Sequence, residues 1–384
     1  MSNKDKSLAL LPNGFVDLLP PYAQREAHSI RILMDEFASF GYRRIKPPLF
    51  EFEDSLLAPG PGARLSSETF RLMDPVSHRM MGVRSDITAQ IARIVSTRLG
   101  NEPRPLRLAY ANDVLRTRGS QMRTERQFTQ VGCELIGEAN NIETDIELCI
   151  LAVLGLKALD LCDITLDFTI PGFVGAVLAG IEGDNKAEIL KAVSRRDRDA
   201  LKDFGLAQTD ILAQAIGGAG YASDALAALD GMACSPALTD NLARLGAVCI
   251  GVRAALDDLG INDVDLTVDV IDQDGFEYHK GIGFTLFTSA VHGEIGRGGA
   301  YEVCFGNDGQ SETAKGFTLY MDTISKCVNA SDDAPRLYVD AGVSWKKIRD
   351  LQAQGWIIIR GIGNDVMPHE CTHILKDGTV TTIS

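Results

Sequence analysis

A chain of 384 residues, 45 % apolar and 23 % charged, is long enough for one or two domains with sizeable cores. Its 38 basic and 52 acidic residues give a net charge of −14, which argues against a nucleic-acid surface, and no stretch reaches the ~18 apolar residues of a membrane span. The eight cysteines form no C-x-x-C pair and no regular framework, so the expectation is buried thiols in a reducing cytoplasm rather than disulfides, with no metal and no cofactor.

Residues 12–20 form a turn-rich entry, and Pro20 and Pro21 suit a helix start. Over 22–40, Ile30, Leu33, Met34 and Phe37 recur at helical spacing, which predicts an amphipathic helix ended by Gly41. YRRIKPPLFE (42–51) reads as a short strand that Pro47 and Pro48 confine to a sheet edge or an interface. PGPGARLSS (59–67) is a loop by composition. In MMGVRSDITAQIARIVSTRL (80–99) a strand end leads through Asp86 into a helix with Ile87, Ile91 and Ile94 on one side. Asp86 suits either an N-cap or a pocket carboxylate.

RLAYANDVLRTRGSQMRTERQFTQVGCELIG (107–137) reads as two strands joined by a polar, Arg-rich loop. On the second strand Phe128, Gln130, Gly132, Glu134 and Ile136 share one face, because side chains alternate with period two. Gln130 and Glu134 then point the same way, roughly 13 Å apart at about 3.3 Å per residue. An amide, a carboxylate and guanidinium groups so placed suit a small zwitterion or a phosphate. Taken alone, the stretch is explained as well by a solvent-facing polar hairpin.

A helix over 142–159 and a strand over 164–170 follow; residues 173–260 then read as a helical insertion without chemistry of its own. VDLTVDVI (264–271) returns to strand alternation, and QDGFEYHKGIGF (273–284), GRGGAYE (296–302) and GFTLYMDTI (316–324) come next. The domain expectation is 1–330 for the main body and 331–384 for a small α/β unit built from RLYVDAG, a helix near 345–354, WIIIRGI and THILKDGTVTTI.

These runs resemble, in order, the motifs of class II aminoacyl-tRNA synthetases, most closely histidyl-tRNA synthetases. Tyr42, Ile45, Pro48 and Glu51 match motif 1, which builds the dimer interface in that family. Arg116, then Arg126, Phe128, Gln130, Gly132, Glu134 and Gly137, match motif 2. Arg84-Ser85-Asp86-Ile87-Thr88 stands where the family has R-P-E-x-T, whose carboxylate holds the substrate ammonium group. Gly275, Tyr278, Gly281 and Phe284 match the family's histidine signature, and GRGGAYE resembles its glycine-rich turn, with Ala300 in place of Arg. The resemblance implies an α+β fold: a class II synthetase-like antiparallel sheet flanked by helices, with the insertion and a small C-terminal α/β unit.

Three positions depart together. Arg118, Asp274 and Thr323 stand where the synthetases carry an adenine-holding Glu, an α-phosphate Arg and a γ-phosphate Arg, and Tyr320 replaces the Gly that leaves room for adenine. A carboxylate in place of a phosphate-facing cation reverses the electrostatic sign. The tail is also shorter than the family's anticodon domain. This combination is similar to the regulatory subunit family of ATP phosphoribosyltransferase, a synthetase paralogue. The resemblance implies a non-catalytic partner of the short-form catalytic subunit, required for the first step of histidine biosynthesis and allowing feedback by histidine as effector. It further implies a homodimer within a hetero-oligomer, with no nucleic acid or membrane partner. The histidine site it implies is Asp86, Thr88, Arg116, Gln130, Glu134, Tyr278 and His279. An active histidine–tRNA ligase, another amino-acid-activating enzyme and an assembly factor with a vestigial pocket remain as alternatives.

Overall fold

The computed structural model describes residues 10–58, 61–119, 123–137, 141–232, 234–272, 279–304, 311–328, 335–363 and 370–383. Two compact units divide the chain, residues 1–328 and 329–384. Strands of the first unit are β1 (Arg43–Arg44), β2 (Phe50–Phe52), β3 (Arg71–Met73), β4 (Met80–Val83), β5 (Leu106–Leu115), β6 (Gln127–Ile136), β7 (Ile164–Thr169), β8 (Gly220–Tyr221), β9 (Val264–Val268), β10 (His279–Thr288), β11 (Gly296–Cys304) and β12 (Ser311–Tyr320). Its helices are α1 (Tyr22–Ser39), α2 (Glu53–Leu56), α3 (Thr88–Arg98), α4 (Ile142–Ala158), the insertion helices α5 (Phe173–Val177), α6 (Asp184–Ser194), α7 (Arg198–Asp203), α8 (Ala207–Gly218), α9 (Ala222–Leu229) and α10 (Pro236–Asp258), and α11 (Met321–Cys327).

Among the described residues the main sheet has nine strands in the order β1-β5-β6-β12-β11-β10-β7-β9-β8. The central run from β5 to β7 is antiparallel throughout; parallel pairs occur only where β1 meets β5 and β7 meets β9. The edge position of β1 agrees with the prolines that follow it. A separate three-stranded sheet, β2-β4-β3, lies beside it in sequence.

Both faces of the sheet are covered, which is why β6 is buried along almost its whole length. On one face Ile87, Ile91, Ala92 and Val95, at the start of and along α3, pack with Leu108, Tyr110, Phe128 and Ile136. On the other, α1 buries Ser29, Leu33 and Phe37 at four-residue spacing, and Phe37 meets Phe317 edge-on at 5.5 Å. Gly155 of α4 sits under these side chains, since a Cβ there would lie 3.0 Å from Leu33 and 3.3 Å from Phe37. Burying side chains of this size is worth about 1.5–3 kcal/mol each.

Three sequence expectations are corrected. Residues Pro61–Ser67 form a 3₁₀ helix rather than a loop, because Gly62 lets the chain pass against the Leu56 carbonyl, 2.2 Å from where a Cβ would stand. GRGGAYE is not a turn but the body of β11. Its glycines serve close packing instead: a Cβ on Gly298 would lie 2.3 Å from the Phe284 ring, and one on Gly299 would lie 2.7 Å from the His279 ring. The strand expected over 264–271 ends at Val268.

The second unit contains β13 (Arg336–Val339), α12 (Trp345–Ala353), β14 (Ile357–Arg360), β15 (His373–Lys376) and β16 (Thr379–Thr382), with sheet order β14-β13-β15-β16. Its own core is Leu337, Val339, Ile348, Leu351 and Leu375.

Candidate functional site

At the start of α3, over β6, β12 and β11, the first unit encloses a cavity of ≈ 170 Å³ lined mainly by polar side chains. That is below the roughly 300–1,000 Å³ of drug-sized pockets and suits a ligand the size of one amino acid. Gln130, on β6, reaches the loop before α3 with both ends of its amide. Its Oε1 accepts from the Ile87 N–H at 3.1 Å, and its Nε2 donates to Asp86 Oδ2 at 2.9 Å. The other Asp86 oxygen accepts from the Thr88 N–H at 2.9 Å. Asp86 is not the N-cap, which falls at Ile87; it braces the loop just before α3 and presents a half-buried carboxylate to the cavity.

Glu134 lies deeper, 2 % exposed. Tyr301 donates to its Oε2 at 2.9 Å, Tyr110 to its Oε1 at 3.4 Å, and Thr88 to its Oε1 at 3.5 Å. Burial pushes its carboxyl up to about 8; the Tyr301 hydroxyl opposes the rise and the charge of Asp86 adds to it. Thr88 thus stands between Asp86 and this buried carboxyl group, and a cation placed there favours the ionised form of Glu134. Gly316 on β12 makes room, for a Cβ there would fall 1.8 Å from Glu134 Oε2 and 2.6 Å from the Cys133 carbonyl. Gly316→Ala is expected to destabilise the protein by roughly 1–3 kcal/mol, as overpacking does. Equal denaturation midpoints for variant and wild type would show that the strand yields freely.

Arg116 faces the cavity from the end of β5. Its Nε lies 3.4 Å from Glu68 Oε2 and 3.4 Å from the Ser85 carbonyl, and its guanidinium is 5.3 Å from the centre of the Phe128 ring. His279 lines the opposite wall, held neutral by burial and by the neighbouring Arg297, which bring it down to about 3. Tyr320 of β12 lines the cavity beside Phe128. It packs edge-on against the Phe128 ring at 6.1 Å, and the Arg123 guanidinium lies 3.8 Å from the centre of the Tyr320 ring. Arg123 is fixed there by Asp322 at 2.8 Å. Thr323, in the first turn of α11, is buried.

Of the sequence-derived site residues, Asp86, Thr88, Arg116, Glu134 and His279 line one cavity, and Gln130 is held against Asp86 behind it. Tyr278 lies outside the described residues, as do Asp274, Gly275 and Glu277. Arg126, matched in motif 2, does not line this cavity. Its guanidinium lies against both Phe15 and Phe70, at 5.0 and 4.9 Å, and its backbone N–H donates to the Gly14 carbonyl, so it fastens the N-terminal segment. Arg118 is exposed and borders a neighbouring recess of ≈ 340 Å³ that shares Glu68 and Arg116 with the cavity.

Sequence reasoning missed Glu68, Glu294, Arg297, Tyr301 and Thr318 as lining groups. Arg297 and Tyr301 were within reach: period two along GRGGAYE puts both on one face with Gly299 between them. Glu294 pairs with Arg297 at 2.6 Å.

Residues 14–324 match the histidyl-tRNA synthetase family. Among curated proteins, the ATP phosphoribosyltransferase regulatory subunit of Rhodospirillum centenum is 40 % identical, covering 98 % of this chain and 97 % of its own. That of Paramagnetospirillum magneticum is 42 % identical, covering 97 % of each. A solved Bacillus halodurans structure, described as an ATP phosphoribosyltransferase regulatory subunit/histidyl-tRNA synthetase, superposes with a TM-score of 0.77 at 21 % identity over 94 % of both chains. Histidyl-tRNA synthetase from Nostoc superposes with a TM-score of 0.73 at 17 % identity, covering 94 % of this chain and 87 % of its own. These two likenesses speak for the fold alone.

Proposed function

The chain belongs to the ATP phosphoribosyltransferase regulatory subunit family, and from that premise we propose that it is a non-catalytic cytoplasmic subunit that joins the short-form catalytic subunit and lets histidine regulate the first step of histidine biosynthesis. One observation carries the reading. A polar, amino-acid-sized cavity is lined by the carboxyl groups of Asp86 and Glu134 and by Arg116, and Tyr320, stacked with Arg123, forms part of its wall. Such a cavity suits gripping a free amino acid without activating it.

The ammonium group of histidine fits between Asp86 and Glu134, beside Thr88. Its carboxylate meets Arg116, and the imidazole lies toward His279. Gln130, with both ends of its amide engaged, supports the site by aiming Asp86. Feedback then follows from linkage: if histidine binds more tightly in one quaternary state, it shifts the assembly toward that state by its difference in affinity.

Calorimetry with the purified chain tests this directly. Histidine is expected to bind, ATP with magnesium is not, and Arg116→Ala should weaken histidine about tenfold or more by removing a charge-assisted partner. Normal histidine binding by that variant would remove Arg116 from the site. Measurable ATP–pyrophosphate exchange would return the protein to the amino-acid-activating class. Co-purification with a short-form catalytic subunit, assayed with and without histidine, tests the partnership.

A further inference from the structure

Arg196 stands just past α6 of the insertion with φ 54°, a left-handed backbone that glycine fills freely and other residues seldom enter. Its N–H donates to the Val193 carbonyl at 2.9 Å, and the Asp197 N–H donates to the Ala192 carbonyl at 3.0 Å, which closes the end of the helix. The Arg196 guanidinium pairs with Asp269, just beyond β9. Asp269 holds the turn that follows it. One of its carboxylate oxygens accepts from the Ile271 N–H at 3.2 Å, and its carbonyl accepts from the Asp272 N–H at 3.2 Å. The Asp272 carbonyl then accepts from the Thr169 hydroxyl of β7 at 2.6 Å. A recess of ≈ 300 Å³ between α6 and this turn, with Leu190, Val193 and Ile271 on its walls, leaves the clasp without packed side chains on that side.

Asp272 lies seven residues before His279. Thr169 pairs with Gly283 on β10, and Gly283 pairs with Gly299 on β11. Cross-strand partners face the same way, and the His279 ring lies over Gly299, 2.7 Å from where a Cβ would stand. Only glycine separates Thr169 from that ring along the row, a span of roughly 10 Å at about 4.8 Å per strand. The ladder alone does not fix His279, because its register shifts between Lys280 and Gly283. Charge follows the same route: burial pulls the Arg297 guanidinium on the cavity wall down, and Tyr320, Glu294 and Asp272 together raise it.

We propose that Arg196 is a positioning residue for the amino-acid cavity: its clasp on Asp269 sets the turn that leads to His279 and so couples the insertion to recognition of the amino acid. The inference rests on the histidine-binding reading and goes beyond it by giving the insertion a part in binding.

Histidine calorimetry and thermal melts on the full chain compare wild type, Arg196→Gly and Arg196→Lys. Glycine suits φ 54°, so Arg196→Gly removes the clasp while keeping the end of α6. It should melt at or above the wild-type temperature yet bind histidine about threefold to tenfold more weakly, and Arg196→Lys should keep most of the affinity. In a His279→Gln background the Arg196→Gly loss should shrink below about twofold, because the clasp acts through that ring. Wild-type affinity in Arg196→Gly, or losses that simply add in the double variant, overturns the proposal and leaves the histidine reading intact. A loss that comes with a lower melting temperature and is as large in Arg196→Lys makes Arg196 a structural residue and also overturns it. No histidine binding by wild type overturns both.

Discussion

Asp145→Ala is expected to cost about 3–5 kcal/mol of folding stability, because it strands two cations that share one carboxylate. Asp145, on α4, lies 2.5 Å from Lys315 Nζ on β12 and 2.7 Å from Arg244 Nη2 on α10. Lys315 is 2 % exposed, so water cannot take over for the missing partner. Burial pulls the Lys315 ammonium group down, and the nearby Asp145 pushes back. Both cations also donate to the Asn141 carbonyl, at 3.1 and 3.2 Å, just before α4 begins. The trio joins the insertion to the strand whose next residue, Gly316, packs against Glu134. Denaturant melts check the figure, and a loss below about 1 kcal/mol would show that the trio is dispensable. Replacing all three by Leu and Met should recover much of the loss, since a buried ion group is costly to form and only its breakage is severe. The recovery separates charge stranding from simple loss of packing.

None of that trio was legible in the sequence, because its members lie 71 to 170 residues apart and meet only through the sheet and helix register. What was legible lies within single elements. Period two along β6 placed Gln130 and Glu134 on one face, and helical spacing gave Leu33 and Phe37 as the buried side of α1. Asp86 was left open between cap and ligand; in the structure the N-cap position falls to Ile87, and the two Asp86 oxygens accept from the Thr88 N–H and from Gln130. GRGGAYE was misread because glycine marks a tight turn and a close approach with the same letter; only the neighbouring Phe284 and His279 decide between them. Motif matching carried Arg116 to the cavity but could not tell that Arg126, in the same pattern, holds Phe15 and Phe70. Nor could it show that Tyr320 lines the cavity with Arg123 stacked on its ring.

Glu134→Gln is expected to make the free protein more stable at neutral pH and the histidine complex much weaker. The sign follows from which state holds the proton. In the folded protein burial pushes this carboxyl up to about 8, whereas in the unfolded chain it titrates in the ordinary range near ~4.3. Between those values the folded state binds more protons than the unfolded one, so this group's contribution to stability falls as pH rises, by at most about 1.4 kcal/mol per unit. Below the unfolded value both states are protonated and the slope vanishes; above about 8 both are ionised and it vanishes again. Glutamine does not titrate, so wild type should lose ground to Glu134→Gln steadily across this window in paired melts at pH 5, 6.5 and 8. Ligand binding runs the other way. An ammonium group between Asp86 and Glu134 stabilises the ionised carboxylate, so binding expels a proton below about pH 8, and affinity for histidine should rise with pH toward that value. Removing a charged partner from a desolvated pair costs 2 kcal/mol or more, about 30-fold in affinity. Stability and recognition are therefore opposed at one side chain: the charge that strains the empty cavity is the one a bound cation requires. A pH-independent stability difference, or wild-type affinity in Glu134→Gln, would place the ammonium group elsewhere.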